Sequence, residues 1–145
     1  MTYAVAVAEA PARPTAVLTA STTWPEYPGV WPRLLDRVHA GIRWSGPGRK
    51  GRNVMLYLDD TPNVEVGVEL DQPVEITADL VRSILPAGRV ASTVHRGPYS
   101  GLGAAHEAVL RWCAEHGERP VGVRWEVYGH GDEESPTTEV HYLLG

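Results

Sequence analysis

The chain has 145 residues, 43% of them hydrophobic, so it has the length of one compact domain and can bury a sizeable core. Its net charge of −5 disfavours a nucleic-acid partner, because phosphate binding needs a basic face, and its single cysteine excludes an internal disulfide framework. The N-terminus lacks the basic region of a secretory signal and no apolar run approaches the roughly 18 residues of a membrane span, so we expect a cytoplasmic protein without a membrane partner.

The first half of the chain predicts two strands, a helix and a hairpin. The apolar run at residues 4–8 and the β-branched run at 14–22 are typical of strands. The helix that follows ends near Gly41, and its apolar residues recur every four positions: Val30, Leu34, Val38 and Ile42. The strand sequences NVMLYL and NVEVGVEL then flank the turn DTPN, whereas residues 78–88 fit either a short strand or a helical turn.

The second half predicts the same order of elements. RVASTVHR is typical of a strand and HRGPYSG of a corner, and an amphipathic helix follows with Ser100 as its N-cap and Gly117 just after its end. One face of this helix is apolar: Leu102, Ala105, Val109, Trp112 and Cys113. VRWEVYGH and TTEVHYLL then predict a second hairpin, with the acidic sequence GDEESP as its solvated tip.

Both halves therefore run strand, helix, strand, strand, which indicates a duplicated βαββ unit. We predict one α+β domain with repeats near residues 1–72 and 73–145, because one such unit cannot bury its own sheet face whereas two can share a core. The two units would form an antiparallel sheet in a pseudo-twofold arrangement, with both helices on one face and a ligand cleft between them. Since this duplication already supplies a twofold contact, we expect a monomer.

Residues on alternate positions of the equivalent strands should reach this cleft. Glu126 and Tyr128 share a strand face, as do Met55 and Tyr57 in the other half. The repeat sets the methionine opposite the glutamate, so one half supplies an apolar wall and the other a carboxylate. From the residues alone, a salt bridge from Glu126 to Arg124 or Arg89 is the simplest way to compensate its charge.

The sequences HRGPYSGLGAAHEAVLRW, RWEVYGH and TTEVHYLL, in this order and spacing, resemble the GyrI-like small-molecule-binding domains. These domains also serve as effector-binding domains of AraC- and MerR-type multidrug regulators, and the resemblance covers essentially the whole chain. It implies a duplicated α+β sheet, a ligand cavity between the halves, and a strand carboxylate at Glu126 that recognises cationic aromatic compounds. Because the sequence has no helix-turn-helix segment, we expect a standalone domain rather than a complete transcription factor.

The resemblance also implies aromatic walls around the ligand. The full set of candidate ligand-binding residues is Glu126, Tyr128, Tyr99, Met55, Tyr57, Trp24, Trp31, Trp112 and His95. For Trp112 the alternative is a place in the core, for Trp24 and Trp31 the packing of a loop, and for His95 an ordinary place in a strand.

Three other patterns suggest chemistry that their spacing does not support. HEAVL places Leu110 where a zinc-protease helix needs its second histidine, and GPGRKGRN lacks the Lys-Ser/Thr pair of a phosphate loop, so we interpret it as a flexible surface loop. Cys113 lies on the apolar helix face and is expected to be a buried small hydrophobic residue rather than a nucleophile. We predict neither a metal nor a cofactor.

These observations leave three functions open. The first is binding or sequestration of lipophilic, often cationic compounds by Glu126 and the aromatic cleft. The second is an enzyme, a hydrolase that adds water to strained, cyclopropane-containing genotoxins, with Glu126 as general base and Tyr128 or Tyr99 as proton or hydrogen-bond donor. The third and weaker possibility is binding of another protein, as in a gyrase-inhibiting relative.

Overall fold

Two α-helices and ten β-strands make up the part of the chain that a computed structural model describes, residues 3–46, 51–129 and 136–145. The first half contains β1 (Ala6–Ala10), β2 (Arg13–Ser21), α1 (Tyr27–Ala40), β3 (Ile42–Trp44), β4 (Asn53–Tyr57) and β5 (Asn63–Glu69). The second contains β6 (Val74–Ile76), β7 (Val81–Leu85), β8 (Gly88–Arg96), α2 (Leu102–Glu115), β9 (Pro120–Tyr128) and β10 (Thr137–Leu144).

Eight strands form one antiparallel sheet in the order β1-β8-β10-β9-β4-β5-β2-β7, and β3 pairs with β6 in a small second sheet. At the centre, β4 of the first half pairs with β9 of the second. Outward from this pair, β5 and β2 on one side correspond to β10 and β8 on the other. The predicted α+β fold with two βαββ units in a pseudo-twofold arrangement is therefore confirmed, whereas the boundary near residue 72 stays a prediction.

The sheet curls until its two ends approach one another. β1 lies at one end beside β8, and β2 lies near the other end, yet only Pro11 and Ala12 join them. Residues 86 and 87 make the equivalent short link from β7 to β8. The face enclosed by this curl forms an apolar core: Val54, Leu56, Leu85, Val90, Trp125 and Val127.

Both helices pack on the opposite face of the sheet. α1 lies over β5 and β2, and α2 lies over β8 and β10. Val38 and Val109 are completely buried beneath them, and full burial of such a side chain contributes about 1.5–3 kcal/mol to folding. Cys113 packs in the same layer with Ala91 and Val140, and burial raises the pKa of its thiol, as expected of an inert core cysteine.

Local backbone chemistry explains where the element boundaries differ from the predicted ones. Ser100 is not the N-cap of α2, because the Gly101 N–H bonds to the Pro98 carbonyl and closes a 3-10 turn before the helix begins. Gly117 does follow the helix as predicted, with a positive φ of 69°. In α1, Gly41 ends the helix, so Ile42 begins β3 instead of completing the helical stripe.

The two halves are also joined by an ion-pair cluster on the enclosed side of the sheet. Arg52 Nε lies 2.6 Å from Glu69 Oε1, and Arg52 Nη1 lies 2.6 Å from Glu139 Oε2. Residues 47–50 of the predicted surface loop lie outside the described residues, but Arg52 at its end is anchored rather than free. The acidic tip of the second hairpin, GDEESP at residues 131–136, also lies outside the described residues except for Pro136.

The chain of contacts continues from Glu139 through His141 to Ser92 without forming a catalytic triad. His141 Nε2 lies 2.9 Å from Glu139 Oε1, and its Nδ1 lies 2.6 Å from Ser92 Oγ. Ser92 sits in mid-strand, with β1 on one side and β10 on the other. Because the backbone around Ser92 is paired with these two strands, its N–H groups cannot form an oxyanion hole. We therefore assign this cluster to holding the halves together.

The cluster predicts a loss of stability in acid. Hydrogen bonds from His141 and Arg52 lower the pKa of Glu139 from 4.5 to about 2. A lowered folded-state pKa stabilises the protein above the unfolded-state value, and this contribution is lost as the pH falls from about 4.5 to about 2. Because the carboxylate is partly exposed, we expect a loss of about 1–2 kcal/mol from this group.

Urea unfolding of the wild type and of Glu139→Gln at pH 6 and pH 3 tests this expectation. The variant should lose less stability between the two values, by roughly 1 kcal/mol, because pH 3 still lies above the folded-state pKa and only part of the contribution is lost there. Glu75→Gln is the matched control, because Glu75 is 81% exposed in a surface pair with Arg43. An equal pH dependence in the wild type and Glu139→Gln would contradict the assignment.

Candidate functional site

The centre of the sheet, between the two helices, carries a buried carboxylate. Glu126 on β9 lies opposite Met55 of β4 on one side and Val140 of β10 on the other. Its side chain points to the helix-covered face and is only 5% exposed as a residue. A charge so placed needs compensating donors, because it has lost most of its hydration.

Three donors supply this compensation. The hydroxyl of Tyr57 donates to Glu126 Oε1 at 2.8 Å, and the hydroxyl of Tyr128 donates to the same oxygen. The other oxygen, Oε2, lies 2.6 Å from Nε2 of His106 on α2. Both halves of the chain therefore contribute to this one carboxylate, through β4, β9 and α2.

The geometry also sets the tautomer of His106. An ionised carboxylate only accepts hydrogen bonds, so the proton lies on Nε2. Nδ1 lies 2.7 Å from the hydroxyl of Tyr142, and this hydrogen bond extends the network to β10. Sequence reasoning considered His106 only as a metal ligand and missed this role. A signal was present, because His106 is a polar residue within the apolar stripe of α2, one turn after Leu102.

The tyrosines of this network remain protonated donors. Burial raises the pKa of Tyr57 and of Tyr128 far above the usual value, and the adjacent Glu126 charge raises both further. Burial also raises the pKa of Tyr27, whose hydroxyl donates to Met55 Sδ at 2.9 Å. For Tyr142, burial raises the pKa to about 12.

Two cavities of about 370 Å³ each meet at Glu126. The first, here called the aromatic cavity, is lined by Tyr27, Trp31, Leu35, Asn53, Met55, Tyr57, Tyr99, Leu102, Glu126, Tyr128 and Gly129. The second, here called the arginine cavity, is lined by Trp24, Tyr57, Leu102, Gly103, His106, Arg124, Glu126 and Tyr142. Glu126, Tyr57 and Leu102 form the wall that the two cavities share.

Most of the predicted site residues lie around these cavities. Met55, Tyr57, Tyr128 and Trp31 line the aromatic cavity together with Tyr99, which is 55% exposed. The rings of Tyr99 and Tyr128 meet edge to face at 5.6 Å, so Tyr99 stands at the mouth. Trp24 lies on the arginine cavity instead, with its ring 5.5 Å from that of Tyr57.

Two predicted residues lie away from the cleft. Trp112 borders the core beneath α2 and stacks on His116 at 4.1 Å, one helical turn away, so it lines neither cavity. His95 is buried with both ring nitrogens satisfied, by the Tyr3 hydroxyl and the Pro98 carbonyl at 2.8 Å each. Its role is to hold the corner before α2.

The salt bridge suggested for Glu126 is not formed. Arg124 pairs with Asp60 at 2.8 Å, and Arg89 pairs with Glu118. Arg124 shares the sheet face of Glu126, but its guanidinium turns toward Trp24 and Tyr57 in the arginine cavity. The carboxylate is thus balanced by neutral hydroxyls and an imidazole.

No cluster of three or more histidine, cysteine, aspartate or glutamate side chains suited to a metal ion occurs in residues 3–46, 51–129 and 136–145. Within the same ranges, no helix is long and apolar enough to cross a membrane.

Residues 56–144 match the GyrI-like small molecule binding domain. The chain belongs to this family. No curated protein matches the sequence.

Solved structures share the GyrI-like fold at low sequence identity. The C-terminal domain of EcmrR superposes with a TM-score of 0.72 at 20% identity, covering 100% of this chain and 99% of that one. SAV2435 bound to tetraphenylphosphonium gives 0.65 at 14% identity, covering 100% and 94%. A hydrolase encoded by lin2189 from Listeria innocua gives 0.64 at 10% identity, covering 99% and 93%.

The tyrosine network of this GyrI-like protein predicts an incomplete alkaline titration. Four of its six tyrosines have raised pKa values, so they should not ionise in the folded protein at pH 11. Only the other two of the six tyrosines can then contribute to the absorbance of tyrosinate at 295 nm. The rise in this absorbance should therefore reach at most about a third of the rise in urea-unfolded protein. A full-amplitude rise with the fold intact by circular dichroism would contradict the network.

Proposed function

We propose that this GyrI-like protein binds lipophilic organic cations, with Glu126 as the buried counter-charge. The observation that carries the proposal is a 5% exposed carboxylate at the junction of two cavities, compensated by hydroxyls and an imidazole rather than by an arginine. The tyrosine hydroxyls that bond to the carboxylate are neutral, so they satisfy its oxygen without bringing a positive charge to it. A ligand cation can therefore supply the counter-charge that no arginine provides.

The walls of the aromatic cavity suit a flat or multi-ring cation. Tyr27, Trp31, Tyr99 and Tyr128 present ring faces and edges around one opening. A cation over such a ring gains about 0.5–2 kcal/mol, with the higher value where the site is desolvated. Met55 adds a polarisable apolar surface directly opposite Glu126.

The family relationship supports the same proposal. The matched domain is described as small-molecule-binding, and SAV2435, which shares the fold, was solved bound to a lipophilic cation, tetraphenylphosphonium. For this chain, the argument for a cation rests on Glu126 and its aromatic surroundings.

The same groups support a second candidate, hydrolysis of a strained cyclopropane electrophile. Glu126 would take a proton from a water molecule. At the same time the water oxygen bonds to a ring carbon of the substrate, and a carbon–carbon bond of the cyclopropane breaks. Tyr57 and Tyr128 both donate to the carboxylate, so either hydroxyl could turn to stabilise the charge that develops on the substrate. The observation that favours this candidate is that one cleft contains both a possible general base, Glu126, and two protonated hydroxyl donors, Tyr57 and Tyr128.

Glu126→Gln tests the counter-charge role, because glutamine keeps the shape and removes the charge. The His106 ring can accept the new amide donor by moving its proton to Nδ1, so the cleft should remain folded. Binding of tetraphenylphosphonium should weaken by about 1.5–3 kcal/mol, the scale of a charge-assisted hydrogen bond. Triphenylphosphine oxide, a neutral probe of related shape, should lose little; titration calorimetry measures both.

Cys113→Ala is the control for this experiment. It lies in the α2 core, so it should lower the melting temperature without changing affinity for the cation. Unchanged binding of the cation by Glu126→Gln would overturn the proposal.

The hydrolase candidate predicts a different response to the same variant. Incubation with a cyclopropane-containing alkylator should yield a product heavier by one water, detected by mass spectrometry. Glu126→Gln should abolish this product yet leave binding of the neutral compound nearly intact, because the lost group acts on water. Equal product formation with wild type, Glu126→Gln and buffer alone would exclude catalysis at this site.

A further inference from the structure

The arginine cavity contains a second buried charge next to the first. Arg124 and Glu126 occupy alternate positions on β9, so both side chains point to the helix-covered face from α-carbons about 7 Å apart. The Arg124 side chain is only 13% exposed. The cleft therefore carries two side chains of opposite charge: Glu126 in the wall that the two cavities share, and Arg124 in the arginine cavity.

The contacts of Arg124 leave its guanidinium available to a ligand. Arg124 uses Nη1 both for its ion pair with Asp60 at 2.8 Å and for its hydrogen bond to the Gly122 carbonyl at 2.9 Å. A guanidinium has five N–H donors, so those on its other two nitrogens are not used by these contacts. Asp60 is 89% exposed, so its carboxylate can return to water at little cost. The Trp24 and Tyr57 rings lie 5.5 and 5.8 Å from Cζ and hold the group in place.

A ligand with a single positive charge would compensate only one of the two charged side chains, Glu126 and Arg124. It would neutralise Glu126 but leave a largely buried guanidinium paired with a solvent-exposed aspartate. An anionic group on the same ligand could replace Asp60 and make a bidentate contact with Arg124 in a water-poor site. Repulsion between that group and Glu126 is limited, since His106 lines the same cavity and donates to Glu126.

We propose that the cleft selects aromatic zwitterions, with the cationic ring system against Glu126 in the aromatic cavity and a carboxylate against Arg124 in the arginine cavity. This inference rests on the proposed function and adds the second charge to the ligand. The two side chains leave the same strand from α-carbons about 7 Å apart, so one ligand can reach both with its two charged groups.

Two dyes that differ in one group test the inference. Rhodamine 110 carries a xanthylium cation and a free carboxylate, and rhodamine 123 is its methyl ester. We expect the wild type to bind rhodamine 110 at least tenfold more tightly, as measured by fluorescence anisotropy. Net charge cannot produce this preference, because an acidic protein with a charge of −5 would favour the ester, which is the more positive dye.

Variants on both sides of the ion pair sharpen the result. Arg124→Met should abolish the preference for rhodamine 110, and Arg124→Lys should retain part of it. Asp60→Asn removes the competitor for the guanidinium, so it should strengthen rhodamine 110 binding severalfold and leave rhodamine 123 unchanged. Because Asp60 is exposed, this variant decides the matter even where an Arg124 variant does not fold.

The outcomes separate this inference from the function on which it rests. Equal affinity for the two dyes, unaltered by Asp60→Asn, would overturn the zwitterion inference while leaving cation binding in place. Failure of both dyes and of tetraphenylphosphonium to bind would overturn the proposed function and this inference with it.

Discussion

The interior of the cleft depends on satisfying the hydrogen bonds of one buried carboxylate. An anion at the centre of a sheet is tolerated only where donors replace the water it has lost. Tyr57 comes from the first half, and Tyr128 and His106 come from the second. Each donor is itself held by packing or by a further hydrogen bond, so the position of α2 over the sheet is tied to the charge at its centre. The lining of the cleft and the fold are consequently specified by the same contacts.

The position of this carboxylate also divides the chemistry of the cleft. One oxygen receives the two tyrosines, and the other receives the imidazole, so each side of the group meets a different environment. Rings and the Met55 thioether dominate on one side, and a guanidinium is present on the other. The apolar and aromatic surfaces of the cleft are therefore separated in space from its cationic group, although Glu126 borders both.

Much of the fold followed from periodicity, and the site followed only in part. Alternation in the strands and the fourfold spacing in the helices predicted the duplicated order, and two residues on one strand face placed Glu126 beside Tyr128. The sequence did not predict the role of His106, because its partner Glu126 is distant in sequence. The periodicity of a helix does not indicate which strand residue lies beneath it. For Trp112 and His95 the sequence leaves both a place in the cleft and a place outside it open, because their contacts on α2 and at the preceding corner depend on tertiary packing.

The short links between β1 and β2 and between β7 and β8 have a consequence for how the molecule holds together. In each half, the strand that directly precedes the βαββ unit pairs with the outer strand of the other half: β1 pairs with β8, and β7 pairs with β2. The duplication is thus interlocked by an exchange of strands within one chain, in the manner of a swapped dimer whose subunits have been fused. Neither half retains a complete sheet edge without the other, and the two should unfold as a single cooperative unit.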